Sequence, residues 1–114
     1  MLSEDAVRLS HMRDAALEAL AFVADKSRAN LETDRMLVLA LVKSIEIIGE
    51  AAVKVSRGTK SQCPEIPWRD VVSMRNRLHA YFDLDLDILW QTVTTELPTL
   101  LTSVEKTLGL KEAE

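Results

Sequence analysis

The sequence predicts an all-α protein: an antiparallel up-and-down four-helix bundle, with its last helix kinked or split, that dimerises. The composition favours helices, because Ala, Leu, Glu, Lys and Arg are abundant while there are only three glycines and three prolines. Apolar residues recur at helical spacing in four segments, and no segment shows a useful alternating strand pattern. Residues 1–114 are expected to form one domain, since 47% apolar residues are enough to build a core.

Charge and cysteine content narrow the classes of protein. The net charge of −4 argues against a chain that is basic throughout, although a local basic groove for nucleic acid remains open. The single cysteine, Cys63, excludes an internal disulfide bond and a cysteine zinc cluster. No apolar stretch reaches the ~18 residues of a membrane span, and the acidic N-terminus does not resemble a signal peptide. We therefore expect a cytoplasmic protein without a membrane partner.

The first two helices are predicted in the N-terminal half of the chain. The first is expected from about Ser3, as the N-cap, to about Lys26, and a polar connection follows it. The second is expected from about Thr33 to Ser56, with Gly58 as its C-terminal stop.

The second helix is apolar on more than one face, which is typical of a helix buried on several sides. A bundle of this length has difficulty enclosing such a helix alone, so a twofold homodimer is the simplest solution. The dimer interface is predicted at Ile45, Ile48, Gly49 and Ala52, where the small residues allow backbones to approach closely. A central helix packed inside a monomer is the alternative.

The third helix is expected over residues 67–81, with Pro67 in the first helical position. At roughly 100° per residue, five apolar side chains share one face: Trp68, Val71, Val72, Leu78 and Phe82. Arg75 and His79 are predicted in the middle of this face. A cation and an imidazole in such a place must be paired, hydrated in a cleft or functional.

The fourth helix is expected from near Asp85 or Asp87 to near Gly109, and Pro98 should kink it or divide it in two. Asp83, Asp85 and Asp87 alternate, as ligands do in some metal loops. The chain lacks the Gly and Glu that an EF-hand needs later in the loop, so helix capping is the better interpretation of these acids. No metal site is predicted.

Arg75 and His79 are the candidates for chemistry. Imidazole can take or give a proton near neutral pH, and arginine can hold phosphate oxygens and stabilise developing negative charge. Together they suit cleavage of an RNA phosphodiester without a metal ion. The structural alternative is a buried pair of residues satisfied by carboxylates such as Glu50 or Asp34.

Three stretches of the chain together resemble the HepT-like branch of the HEPN superfamily. They are residues 45–52 (IEIIGEAA), 64–68 (PEIPW) and 74–83 (MRNRLHAYFD), and the likeness covers nearly the whole chain. The resemblance implies a small antiparallel helical bundle that forms a homodimer and acts as a metal-independent RNase. It implies the toxin of a type VII-like toxin–antitoxin pair, whose antitoxin is a minimal nucleotidyltransferase encoded beside it.

The catalytic motif of this family is an Arg followed by a polar residue, with four to six residues between the Arg and a His. A Tyr two residues after the His can be the site where the antitoxin attaches AMP. The resemblance therefore implies catalytic Arg75 and His79, supporting Asn76 and AMPylation at Tyr81, with no cofactor. Only three residues separate Arg75 from His79, one fewer than the family pattern. Two alternatives to an active RNase therefore stay open. The chain is a catalytically degenerate member that binds a nucleotidyltransferase or a nucleotide, or it is a purely structural helical dimer.

Overall fold

The computed structural model of the chain describes residues 1–80 and 83–109, with the backbone alone at residues 79, 80 and 83. Helices predominate, which confirms the predicted all-α fold. In chain order they are α1 (Ser3–Val23), α2 (Asn30–Thr33), α3 (Arg35–Lys54), α4 (Arg57–Gln62), α5 (Trp68–Arg77), α6 (Leu86–Gln91) and α7 (Leu97–Thr107). A π-helical turn, Thr92–Glu96, joins α6 to α7, and two short strands, β1 (His79–Ala80) and β2 (Asp83–Leu84), follow α5.

Four helical segments form the bundle: α1, α3, α5 and the continuous run from α6 to α7. Helix α1 packs against α3 and α7, and α3 also packs against α5. Neighbouring helices are antiparallel, since Asp5 at the start of α1 bonds to Ser56 beyond the end of α3. The core lies between the helices, and its largest fully buried side chains are Leu9, Met12, Leu41, Ile45, Ile48, Ile66, Val71, Leu78, Leu89, Val93, Leu97 and Val104.

A buried carboxylate joins the start of α1 to the link between α3 and α4. Asp5 is 2% exposed and accepts bonds from the backbone N–H of Ser56 (2.9 Å), the Ser56 hydroxyl (2.6 Å) and the Thr59 hydroxyl (2.6 Å). These donors, led by the Ser56 hydroxyl, lower the pKa of Asp5 below its ordinary value of 3.8. The predicted cap at Ser3 is wrong, because Leu2 occupies the N-cap position without a side-chain bond. Asp5 instead ties the start of α1 to the segment that follows α3.

Helix α3 begins after Asp34, whose side chain accepts a bond from the backbone N–H of Leu37 at 3.0 Å. It ends at Lys54, and Gly58 lies inside the next short helix rather than acting as its stop.

Within residues 1–80 and 83–109, no helix combines the length and apolar character that crossing a membrane requires.

The residues predicted for a dimer interface are used inside the chain. Ile45, Ile48 and Ala52 are each 0% exposed, and Gly49 faces the backbone of α5. The single chain therefore encloses this face of α3 without a partner, as in the monomer alternative. Two other apolar residues of α3, Met36 and Leu39, are exposed and lie away from this buried face.

Helix α5 buries a narrower face than the sequence predicts. Val71, Met74 and Leu78 are 0–2% exposed, while Val72 is 38% exposed. The spacing of three and four residues between the buried positions is that of a single helical stripe. Because this stripe lies to one side of Arg75, the prediction that Arg75 occupies the buried face is wrong.

The last segment is divided by a π-helical turn, in agreement with the predicted kink or division at Pro98. In this turn the N–H of Leu97 bonds to the carbonyl of Thr92, five residues earlier. Pro98 lacks an N–H and lies in the first turn of α7, where that loss is tolerated. At the other end, Asp85 caps α6 by accepting a bond from the N–H of Ile88 at 3.0 Å, as the capping interpretation predicts.

We predict that Asp5→Asn lowers the melting temperature at neutral pH. The melting temperature of this variant should also fall less than that of the parent as the pH is lowered. The lowered pKa of Asp5 means that its contribution is present above pH 3.8 and is lost as the pH falls below that value. Thermal melts followed by circular dichroism between about pH 7 and pH 2 measure this. Asp14→Asn, on the exposed side of the same helix, is the matched control and should keep the parent's pH profile. Equal profiles for the two variants would contradict the role of Asp5.

We predict that Gly49→Ala raises the free energy of unfolding by about 0.5–1 kcal/mol, because alanine is the better helix former. A Cβ at this position would lie 3.6 Å from the Val72 carbonyl oxygen and 3.7 Å from that of Val71, which are ordinary contact distances. Urea denaturation provides the measurement. Gly49→Leu is the control: its larger side chain meets the α5 backbone and should lower stability. A destabilising alanine would show that the two backbones lie closer than these distances.

Candidate active site

Arg75 lies on the surface of α5 and is held by a carboxylate of α3. Its Nε donates to Oε2 of Glu46 at 3.1 Å, and 54% of the Arg75 side chain is exposed. The exposed part of the guanidinium remains available for further hydrogen bonds, since arginine carries five N–H donors. The sequence interpretation named Glu50 or Asp34 as partners for Arg75. Glu46 was missed, although it stands as a charged residue within an apolar stretch of α3.

A shallow groove of about 200 Å³ runs between α3 and α5 beside this ion pair. Its lining residues are Glu46, Gly49, Glu50, Val53, Val72, Arg75 and Asn76. Arg75 and Asn76 are therefore brought together at one surface. Two carboxylates share the groove with one guanidinium, so a phosphate that binds Arg75 must compete with Glu46.

Arg77 has a different environment from Arg75. It donates to Oε1 of Glu96 at 3.0 Å and to the carbonyl of Asp70 at 3.4 Å. Glu96 belongs to the π-helical turn and also accepts a bond from the Thr92 hydroxyl at 3.5 Å. Arg77 therefore joins the end of α5 to the last helical segment and does not line the groove.

His79 lies just beyond the helix rather than on it. Helix α5 ends at Arg77, and His79 begins β1, where its backbone pairs with Leu84 in antiparallel register. The helix stops because the carbonyl of Leu78 accepts the N–H of Asp85 at 2.6 Å, so it is not used to continue the helix. The prediction that His79 occupies the buried face of a helix is therefore wrong. Tyr81 and Phe82 lie outside the described residues.

The other candidate reactive residues, His11 and Cys63, do not line the groove. His11 is exposed on α1, and Cys63 is buried with its carbonyl accepting the indole N–H of Trp68 at 3.1 Å. Across residues 1–80 and 83–109, no three His, Cys, Asp or Glu side chains are grouped so that they could hold a metal ion.

We predict that Arg75→Gln changes the free energy of unfolding by less than about 1 kcal/mol, because exposed ion pairs contribute little to stability. Met74→Ala, at the adjacent buried position, should cost about 2–5 kcal/mol through the cavity that it leaves. Chemical denaturation of both variants measures the contrast. A loss with Arg75→Gln as large as that with Met74→Ala would show that Arg75 is primarily structural.

Comparison with known proteins places the chain in a family. The family model described as "Ribonuclease HepT-like" matches residues 12–107. A Thermococcus cleftensis protein named "Probable ribonuclease HepT" is 42% identical over 74 residues, which cover 64% of this chain and 67% of that protein. A Methanocaldococcus jannaschii protein named "Putative RNase" is 30% identical over 93 residues, covering 81% of this chain and 85% of the relative. No solved structure matches the chain. The chain belongs to the HepT-like ribonuclease family, the branch of the HEPN superfamily that its motifs resemble.

Proposed function

We propose that the protein is a metal-independent endoribonuclease that cleaves RNA at the end of α5. The observation that carries this proposal is the exposed Arg75 beside Asn76 in the groove, with His79 following three residues after Asn76 at the start of β1. Membership of the HepT-like family and the RNase names of its relatives support the same activity.

Arg75 is assigned the role of holding the phosphate, and His79 the role of moving the proton. The imidazole takes the proton of the ribose 2′-hydroxyl while the 2′-oxygen forms a bond to phosphorus. The bond from phosphorus to the 5′-oxygen then breaks, and that oxygen receives a proton as it leaves. The guanidinium stabilises the charge that grows on the phosphoryl oxygens. Asn76, which is exposed beside Arg75, can donate a further hydrogen bond to the same phosphate.

The biological setting that we propose is a toxin–antitoxin pair. Two copies of the chain form a homodimer in which their motifs meet, and a minimal nucleotidyltransferase is the antitoxin. Attachment of AMP to Tyr81 adds negative charge and bulk close to the motif, and this opposes binding of RNA phosphate. Met36 and Leu39 are apolar and are 82% and 52% exposed on α3. They support a contact between copies at the part of α3 that carries them.

The one-residue departure from the family spacing favours a second candidate. A catalytically degenerate member would keep the groove and bind a nucleotidyltransferase or a nucleotide without cleaving RNA. Loss of catalysis from a small displacement is plausible in magnitude, since misplacing a catalytic group by ~1 Å can lower a rate by about 10²-fold.

We predict that the purified protein cleaves RNA in the presence of a chelator and that His79→Ala abolishes this cleavage. His11→Ala is the matched control, because it removes the chain's other histidine from an exposed position on α1. Gel electrophoresis of a labelled RNA measures the cleavage, and growth on expression reports the same contrast in cells.

A third variant, with one valine inserted after Leu78, separates the two candidates. Cleavage by the inserted variant alone would favour the degenerate member and reject activity in the parent. Cleavage by the parent that survives His79→Ala, on the other hand, would reject His79 as the catalytic residue.

A further inference from the structure

Positive charge is concentrated in one short part of an acidic chain. Residues 53–69 contain four basic residues and a single acidic residue, Glu65, although the whole chain carries a net charge of −4. The basic residues are Lys54, Arg57, Lys60 and Arg69, and we call them the basic patch. A local excess of cations in an acidic protein creates a positive potential that the net charge alone does not reveal.

The fold brings the four residues of the basic patch to one end of the bundle. Lys54 ends α3, Arg57 and Lys60 belong to α4, and Arg69 lies in the first turn of α5. The ammonium of Lys60 lies 5.7 Å from the centroid of the Trp68 ring, which joins α4 to the start of α5.

The charges of the basic patch are available for a partner. Lys54, Arg57 and Arg69 are exposed, and none of them forms an ion pair with a residue in the described ranges 1–80 and 83–109. Arg75 and Arg77 differ, since each is paired with a glutamate. Unpaired exposed cations can neutralise an incoming anion without first breaking an internal contact.

The basic patch is continuous with the groove of the candidate active site. Arg69, Val72 and Asn76 follow at three and four residues, so they share one side of α5. Arg69 and Asn76 are seven positions apart, which is about 10 Å along the helix. Val72 and Asn76 line the groove, as does Val53, the neighbour of Lys54 on α3. A strand bound at Arg75 can therefore follow this side of α5 to the basic patch.

We infer that the basic patch holds the phosphate backbone of the RNA strand whose scissile bond lies at Arg75. This inference rests on the proposed ribonuclease function. RNA is favoured over an acidic protein because the cations extend from a groove that already contains the phosphate-binding candidate. Backbone contacts of this kind position a strand without reading its sequence. They make its binding strongly dependent on salt concentration, because bound counterions are released.

The test is binding of a short fluorescein-labelled single-stranded RNA of mixed sequence, measured by anisotropy at several salt concentrations. All proteins carry His79→Ala so that the RNA stays intact. The patch variant replaces Lys54, Arg57 and Arg69 by Gln. The control variant replaces Lys26, Arg8 and Arg35 by Gln, which removes the same charges from other parts of the surface.

At low salt the patch variant should bind RNA at least about tenfold more weakly than the parent. A plot of the logarithm of the association constant against the logarithm of the salt concentration should become less steep by about 2, or about 0.7 for each lost phosphate contact. The control variant should keep the parent's slope. Equal losses in both variants would overturn the inference, because net charge would then explain them. Competition by poly-glutamate as effective as that by unlabelled RNA would also overturn it in favour of an acidic protein.

Cleavage assays on chains with His79 intact keep this inference separate from the proposed function. Cleavage by the parent with no effect of the patch variant on binding or rate overturns the basic patch alone. Patch-dependent binding of RNA by a parent that never cleaves it rejects the nuclease and leaves the basic patch as an RNA-binding surface.

Discussion

The buried stripe of α3 is the constraint on which the rest of the molecule depends. Leu41, Ile45, Ile48 and Ala52 are each 0% exposed, and α3 packs against α1 on one side and α5 on the other. Burying one large aliphatic side chain stabilises the fold by roughly 1.5–3 kcal/mol, so the stripe fixes the rotation of α3 about its axis. That rotation leaves Glu46, the residue after Ile45, at the groove, where it meets Arg75.

The same reasoning explains why the candidate phosphate-binding residues are on the surface. Burial of Val71, Met74 and Leu78 fixes the rotation of α5, and Arg75 and Asn76 are then exposed because they lie beside that stripe. Their exposure does not depend on a favourable ion pair, since an exposed contact such as that between Arg75 and Glu46 contributes little to stability. The chain can therefore keep a cation ready for a ligand at small cost to the fold.

The sequence predicted the all-α class, the order of the long helices and the division of the last one, because apolar periodicity and Pro98 are local signals. It placed Arg75 on the wrong face of α5, since Val72, which is 38% exposed, was counted as buried. The network around Asp5 could not be predicted, because Ser56 and Thr59 lie more than fifty residues away and no local pattern links them to α1.

The end of α5 changes what the short spacing between Arg75 and His79 means. On a continuous helix, one missing residue would rotate His79 by roughly 100°. Here the helix has already ended, because the carbonyl of Leu78 accepts the N–H of Asp85, and Asp85 in turn caps α6. Leu78, which is buried, and Asp85, which caps α6, form the base of the strand pair that begins at His79. The base of this strand pair therefore places the backbone of His79, so the rotation expected on a continuous helix does not apply to this residue.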